Sequence, residues 1–258
     1  WEPGTRNGYH ALTFGFLVGE VVRRVSGVSL GRFVADEIAS PLGLDLYVGL
    51  PEGLVDRVAT LVPPPDPQPG DPLPRFLMQA LTEPDSIPAL VMLNNGGYLV
   101  PGEWDSPAAL AAELPASGGV MNARALAGLY RAIVHDRRIG RFTLDPEDIA
   151  RMGAIQSAGG EDAGVCGPGR WTLGFLKAGA TPRGAEPPIV ISLSEEAFGH
   201  TGNGGSIGFA DPACDMSFGY VMNQMSAAMG LGPTGQSLVD ATYRALGYRR
   251  AKYHTWVR

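Results

Sequence analysis

The chain has 258 residues, of which 45% are hydrophobic, and a formal net charge of −6 at pH 7. This composition is typical of a globular protein with a buried core, and the lack of a basic run argues against nucleic acid as a partner. Two cysteines and four widely spaced histidines exclude a disulfide framework and a metal site with short ligand spacing, so we expect neither metal nor cofactor.

The first half of the chain, over about residues 9–155, is predicted to be mainly helical. An approximate period of 3.6 residues in the apolar side chains predicts a first helix over 9–26, with Gly27 as its C-terminal cap. The apolar stripe consists of Leu12, Phe16, Val18 or Gly19, Val22 and Val25. Glu20 and Arg23 interrupt its apolar residues, which argues against a membrane span.

Typical N-cap residues predict where the next helices begin. Ser29, Asn122 and Asp145 each precede a segment with helical character. The elements expected in this region are a short strand over 46–51 and helices over 29–38, 74–81, 107–114, 122–135 and from 145 onward. The proline-rich residues 63–74 are interpreted as a surface loop within one domain, with an interdomain linker as the alternative.

Short strands replace helices in the last part of the chain, over about residues 170–248. Turns rich in glycine, proline and aspartate separate apolar runs that predict strands, and a closing helix follows them. The predicted strands span 171–176, 189–193, 206–210 and 216–222, and the helix spans 236–246. Helices followed by a run of strands predict an α+β fold, with a helical region packed on an antiparallel sheet.

Two serines lie in the Gly-x-Ser-x-Gly pattern that marks the nucleophile of α/β-hydrolases. That nucleophile requires a strand before the serine and a helix after it. Ser29 follows a predicted helix, and Ser206 is followed by a strand and not by a helix, so neither serine fits. We interpret Ser29 as a helix cap, and an α/β-hydrolase that uses either serine stays an alternative.

Residues 198–206 form a glycine-rich strand edge that carries His200. Glycines in a strand allow another main chain or a ligand to approach closely, and free N–H groups there can stabilise an oxyanion. Taken alone, this segment is either part of a functional site or a bulged hairpin.

The same strand edge resembles a motif of a known family. His200, Thr201 and Gly202 are similar to the Lys-Thr-Gly or His-x-Gly strand of the β-lactamase-related serine hydrolases. This superfamily includes class C β-lactamases, penicillin-binding proteins, DD-peptidases and esterases built on the same fold. The other segments that resemble the family, in the same order along the chain, are 1–4, 8–10, 17–27, 29–30, 41–44, 118–119 and 219–223. The resemblance covers most of the chain and implies a β-lactamase/transpeptidase-like fold.

The resemblance also implies a role for each matched position. In this family the serine of a Ser-x-x-Lys motif is acylated, and a tyrosine and the lysine move its proton. Tyr9 matches that catalytic tyrosine, and His200 stands where the lysine of the strand motif would be. Thr201 and Gly202 complete the motif beside the substrate, and the N–H of Asn203 matches a donor of the oxyanion hole.

The chain departs from the family pattern at the nucleophile. Its two lysines, Lys177 and Lys252, have Gly174 and Arg249 three positions before them, so the sequence contains no Ser-x-x-Lys motif. In the family this motif precedes the tyrosine segment, and the chain starts at Trp1 without a methionine. We therefore expect the chain to be the C-terminal part of a longer protein, with the nucleophile in a missing N-terminal segment.

Two further departures concern the substrate. Ala11 stands where the family has an asparagine that hydrogen-bonds an amide, and His200 replaces a fixed positive charge. Both changes favour small carboxylic esters over β-lactams or peptides. We expect a carboxylic-ester hydrolase that acts through an acyl-enzyme on a small ester or acyl substrate, and a chain that is inactive alone. The alternatives are β-lactamase or DD-peptidase activity, or a non-catalytic relic that binds ligands in the same cleft.

Overall fold

The computed structural model describes residues 1–66, 70, 73–98, 100, 102–178, 191–251 and 255–258, and its architecture is α+β, as the sequence predicted. The α-helices are α1 (Thr13–Ser26), α2 (Leu30–Val34), α3 (Ser40–Leu42), α4 (Arg75–Thr82), α5 (Ile87–Leu93), α6 (Pro107–Ala111), α7 (Ala123–Val134), α8 (Pro146–Gly153) and α9 (Gly232–Ala245). The strands are β1 (Leu46–Val48), β2 (Gly119–Met121), β3 (Arg138–Ile139), β4 (Phe142–Thr143), β5 (Ser157–Gly159), β6 (Gly169–Trp171), β7 (Leu193–Ser194), β8 (Phe198–Thr201), β9 (Ile207–Asp211), β10 (Met216–Tyr220), β11 (Arg249–Arg250) and β12 (Thr255–Val257). A π-helical turn (Ala35–Ala39) and a 3-10 helix (Glu52–Arg57) connect elements of the first region.

The antiparallel sheet of β8, β9 and β10 carries the core of the second region, with a helix on each of its faces. Every residue of the central strand β9 is buried. Because side chains alternate along a strand, Ile207 and Phe209 belong to the cluster that contains Tyr243 of α9, whereas Ala210 packs with Tyr130 of α7. The sheet is therefore held between α7 and α9, and its edge strand β8 carries the glycine-rich motif.

A single residue links β8 to the β5–β6 pair. The Leu176 N–H donates to the Gly199 carbonyl at 2.7 Å, and Leu176 also pairs with Trp171 at the end of β6. This connection brings Trp171 to the same edge of the sheet as His200.

Helix α1 starts later than predicted, and it packs through glycines. It begins at Thr13, with Leu12 at the N-cap position and no side-chain cap, so Tyr9 lies before the helix. Among the residues of the predicted stripe, Gly19 is buried, whereas Phe16, Val18 and Val25 are exposed. The helix packs through its buried glycines, Gly15 and Gly19, against residues 115–116 and Leu30. Glycines allow this close approach, and they leave the larger apolar side chains on the outer face.

Several other elements differ from the predicted ones. The strand expected over 171–176 ends at Trp171, because a turn at 172–175 follows it. Of the strand expected over 189–193, residues 189–190 lie outside the described residues, as do 67–69 and 71–72 of the proline-rich segment. Helix α5, the β3–β4 hairpin and β12 were not predicted. In the described part of the chain, no helix combines the length and apolarity that crossing a bilayer requires.

Candidate active site

Tyr9 lies in irregular chain before α1, where main-chain hydrogen bonds to a distant loop fix its position. Its N–H donates to Asp162 Oδ1 at 2.9 Å, and the Ala163 N–H donates to the Asn7 carbonyl at 2.9 Å. Ser157 Oγ also donates to the side-chain oxygen of Asn7. The segment around Tyr9, residues 7–9, is therefore hydrogen-bonded to residues 157–163, about 150 positions away in sequence.

The strand motif ends in a tight turn that leaves its last residues exposed. The Gly202 N–H donates to the Ser206 carbonyl at 2.7 Å and the Gly205 N–H to the Gly202 carbonyl at 3.2 Å. Thr201 is buried, whereas Gly202 and Asn203 are exposed. None of the described residues accepts a hydrogen bond from the Asn203 N–H, so this donor is free to meet a ligand.

The rings of Tyr9, Trp171 and His200 form one cluster at this strand edge, which we call the ring cluster. The ring centroids are 5.2 Å apart for Tyr9 and Trp171, 5.9 Å for Trp171 and His200, and 6.1 Å for Tyr9 and His200. The three planes are inclined to one another by 21–28°. Stacked rings of this kind stabilise one another and hold the phenol beside the imidazole.

The surroundings keep both titratable rings of the cluster neutral near pH 7. Burial and then the negative charge of Asp162 raise the pKa of Tyr9 above its ordinary value. Burial lowers the pKa of His200, and the hydrogen bond between its Nδ1 and the Thr201 carbonyl, at 2.6 Å, opposes this effect only in part. A neutral phenol can both donate and accept a hydrogen bond, and a neutral imidazole carries no fixed charge for a substrate carboxylate.

The lowered pKa of His200 predicts a pH-dependent stability. The unfolded chain has a histidine pKa of roughly 6.5, so between that value and the lower folded pKa the unfolded state binds more protons. The stabilising contribution is complete above about pH 6.5 and is lost as the pH falls below it. We expect the melting temperature to fall more steeply from about pH 7 to about pH 5 in the unsubstituted chain than in His200→Gln, and equal slopes in thermal melts would contradict this.

The structure brings Tyr9 and His200 together and places Thr201, Gly202 and Asn203 at the end of the same strand. Sequence reasoning missed Trp171, which it assigned only to a strand, and Asp162, which lies in a glycine-rich turn region. Neither residue belongs to a motif that marks it, because both reach the site through tertiary contacts. None of the described residues forms a group of three or more His, Cys, Asp or Glu side chains that could hold a metal ion.

The two serines of the Gly-x-Ser-x-Gly patterns have local structural contacts. Ser29 Oγ accepts the Arg32 N–H at 3.3 Å and donates to Glu113 at 2.6 Å, which confirms that Ser29 caps α2. Ser206 Oγ accepts the Met222 N–H at 3.3 Å, and β9 follows it directly. Neither serine lies on the strand-to-helix turn that would expose a nucleophile.

Comparison with known proteins establishes the family. The model of the family described as Beta-lactamase matches residues 1–248. The chain therefore belongs to the beta-lactamase family, within the β-lactamase-related serine hydrolases, and the predicted β-lactamase/transpeptidase-like fold is confirmed.

Three relatives illustrate the similarity. The chain is 32% identical over 231 residues to the Esterase/beta-lactamase LipL of Mycobacterium tuberculosis, a match that covers 85% of this chain and 49% of LipL. It is 33% identical, with a TM-score of 0.70, to a penicillin-binding protein homologue from Caulobacter crescentus, over 94% of this chain and 59% of that one. It is 32% identical, also with a TM-score of 0.70, to a family VIII carboxylesterase, over 95% of this chain and 60% of that one. The chain thus spans about half to three-fifths of the length of these relatives.

Proposed function

We propose that the chain forms part of a carboxylic-ester hydrolase that acts through an acyl-enzyme. The observation that carries this proposal is the meeting of Tyr9 with His200 and the exposed end of β8, from positions about 190 residues apart. Two of the relatives described above have names that include esterase or carboxylesterase, which supports the same reaction class.

The proposed reaction uses the groups of the ring cluster and of the strand end together with a serine from outside these 258 residues. The serine oxygen forms a bond with the ester carbonyl carbon, and the Tyr9 hydroxyl passes the serine proton to the leaving alcohol as the C–O bond breaks. The free N–H of Asn203 donates to the oxyanion that forms on the carbonyl oxygen. Thr201 and Gly202 form the strand end on which the acyl group lies. Water then cleaves the acyl-enzyme and restores the serine.

Two features favour esters over β-lactams and peptides as substrates. Ala11 has no side-chain amide or hydroxyl with which to bind the amide group of a peptide or β-lactam substrate. His200 is neutral because burial lowers its pKa, so it offers no fixed positive charge to a carboxylate. A neutral ester requires neither group, and its leaving alcohol needs less help from a proton donor than an amine does.

An exposed apolar surface beside the ring cluster supports the view that a further segment completes the site. The outer face of α1 carries Phe14, Leu17, Val18, Val21 and Val25 at helical spacing, and their exposures run from 45% to 85%. Phe14 reaches to within 3.6 Å of where a Cβ of Gly174 would lie, three residues after Trp171. An apolar stripe of this kind is typical of a surface that another element covers. We propose that the segment with the nucleophile packs here.

Hydrolysis of p-nitrophenyl acetate by two polypeptides tests the proposal. The 258-residue chain should show no activity above background, since loss of a nucleophile costs on the order of 10⁶ in kcat in a serine hydrolase. The full-length gene product should hydrolyse the ester and should be labelled by a fluorophosphonate on a serine outside these residues. Nitrocefin, as a matched β-lactam, should be cleaved much more slowly.

Two outcomes would contradict the proposal. Stoichiometric labelling of Ser29 or Ser206 would place the nucleophile within these 258 residues and refute the proposed mechanism. A folded full-length product that neither hydrolyses esters nor reacts with the fluorophosphonate would favour the non-catalytic binding scaffold.

A further inference from the structure

We propose that Asp162 is a positioning residue for Tyr9: its buried carboxylate holds the Tyr9 main chain so that the phenol stays in the ring cluster. The inference rests on the proposed function, because it assigns a catalytic purpose to the placement of Tyr9. It adds to the site a residue that lies in none of the sequence motifs.

One oxygen of Asp162 accepts main-chain N–H groups from its own turn and from the distant segment that carries Tyr9. Oδ1 accepts the N–H of Tyr9 at 2.9 Å, of Gly164 at 2.8 Å and of Val165 at 3.1 Å. Asp162 is only 1% exposed, so water does not compete for these hydrogen bonds. Bonds from N–H groups to a carboxylate are among the stronger hydrogen bonds in proteins, and they are stronger still away from water.

The loop that carries Asp162 is itself closed by hydrogen bonds. The Asp162 N–H donates to the Gly167 carbonyl at 2.9 Å, and the Asp162 carbonyl accepts the Cys166 N–H at 2.9 Å. The carboxylate therefore projects from a rigid turn. Tyr9, in contrast, lies in irregular chain, where no helix or strand supplies a partner for its N–H. Asp162 takes the place of that partner.

The loop and the tyrosine segment fit closely enough for a small displacement to matter. A Cβ on Gly164 would lie 2.8 Å from the Tyr9 carbonyl oxygen and 3.3 Å from its nitrogen. Gly164 thus allows the loop to reach the Tyr9 main chain at the point where Asp162 binds it. A side chain there would push Tyr9 away while the carboxylate stayed intact.

The two oxygens of the Asp162 carboxylate differ in their hydrogen bonding. Asp162 Oδ2 is buried and has no hydrogen-bond partner among the described residues. A buried polar atom without a partner is unfavourable, so the charge-assisted bonds of Oδ1 must offset this cost. The described hydrogen bonds of the Asp162 side chain therefore go only to Tyr9 and to the turn that carries Asp162.

Nuclear Overhauser contacts between the rings of Tyr9 and Trp171, measured in this chain, test the placement. Asp162→Ala removes the acceptor and should abolish these contacts, whereas Asp162→Asn keeps an oxygen in place and should retain them. Gly164→Ala should abolish them by an independent route, which keeps the test valid if Asp162→Ala does not fold. Asp85→Ala, at an exposed carboxylate, is the matched control and should leave them unchanged. Contacts that persist in both Asp162→Ala and Gly164→Ala would overturn the proposal.

Kinetics of the full-length product separate this inference from the proposed function. Asp162→Ala should lower kcat roughly 10- to 100-fold with KM changed by no more than about twofold, and Asp162→Asn should recover most of the loss. Full activity in Asp162→Ala would overturn the inference while leaving the hydrolase assignment intact. A full-length product without any hydrolysis, in which the ring contacts respond as expected, would refute the hydrolase and support the placement of Tyr9 by Asp162.

Discussion

Tyr9→Phe should lower kcat for ester hydrolysis by the full-length product by roughly 10²–10⁴, the range typical of general acid–base catalysis. The substitution keeps the ring and its stacking on Trp171 at 5.2 Å, so the ring cluster should stay assembled. It deletes only the hydroxyl, to which none of the described residues hydrogen-bonds. A hydroxyl without a structural partner can be removed at little cost to folding, so a large kinetic effect would report on proton transfer.

The measurement is kcat and KM for p-nitrophenyl acetate, together with a thermal melt of each variant. Tyr47→Phe is the matched control, because it removes a hydroxyl whose one described contact is a 3.2 Å hydrogen bond to Asp45, away from the ring cluster. We expect Tyr47→Phe to retain kcat and both variants to melt within a few degrees of the parent. If Tyr9→Phe keeps near-full activity, Tyr9 is a packing residue and the proposed mechanism is wrong.

The strand motif and the tyrosine segment were predictable because local sequence encodes them. A helix start needs a capping side chain such as that of Ser29, and a strand edge that is approached closely needs glycine. Both requirements act over a few residues, so the sequence pattern predicts them. The match of Tyr9 and His200 to motifs of one family then predicted that two segments far apart in sequence contribute to one site. The roles of these residues remain predictions, whereas their proximity is a feature of the structure.

Contacts formed only in the folded chain account for what the sequence did not predict. Asp162 lies in a stretch of glycine and acidic residues that is typical of an exposed turn, yet it is buried, and its Oδ1 accepts the N–H of a residue 153 positions away. Trp171 joins the site through the Leu176 bridge, which no periodic pattern marks. The predicted stripe of α1 shares only Val18 and Val25 with the exposed apolar face described above, because a period does not specify which neighbour covers a face.

Two glycines of the 198–206 segment, Gly199 within β8 and Gly202 just after it, should differ in how strongly alanine destabilises the fold. At Gly199 a Cβ would lie 2.2 Å from the Gly208 carbonyl oxygen and 2.4 Å from the Phe209 Cβ, across the β8–β9 pairing. Main-chain atoms of a buried strand cannot move aside, so Gly199→Ala should lower the free energy of unfolding by about 3 kcal/mol or more. At Gly202 the nearest atom to a Cβ is the Ser206 Cβ at 3.6 Å, which is an ordinary contact.

Gly202→Ala should therefore change the free energy of unfolding by no more than about 0.5 kcal/mol, which makes it the matched control for Gly199→Ala. Thermal melts distinguish the two, because about 3 kcal/mol corresponds to roughly 6–12 °C in a chain of this size.

Gly202 is exposed beside the free N–H of Asn203, where a methyl group would crowd an incoming acyl group. In the full-length product, Gly202→Ala should thus lower kcat/KM for p-nitrophenyl acetate roughly 10- to 100-fold without loss of stability. Unchanged kinetics would remove the end of β8 from the substrate site, and a large drop in melting temperature would instead give Gly202 a structural role.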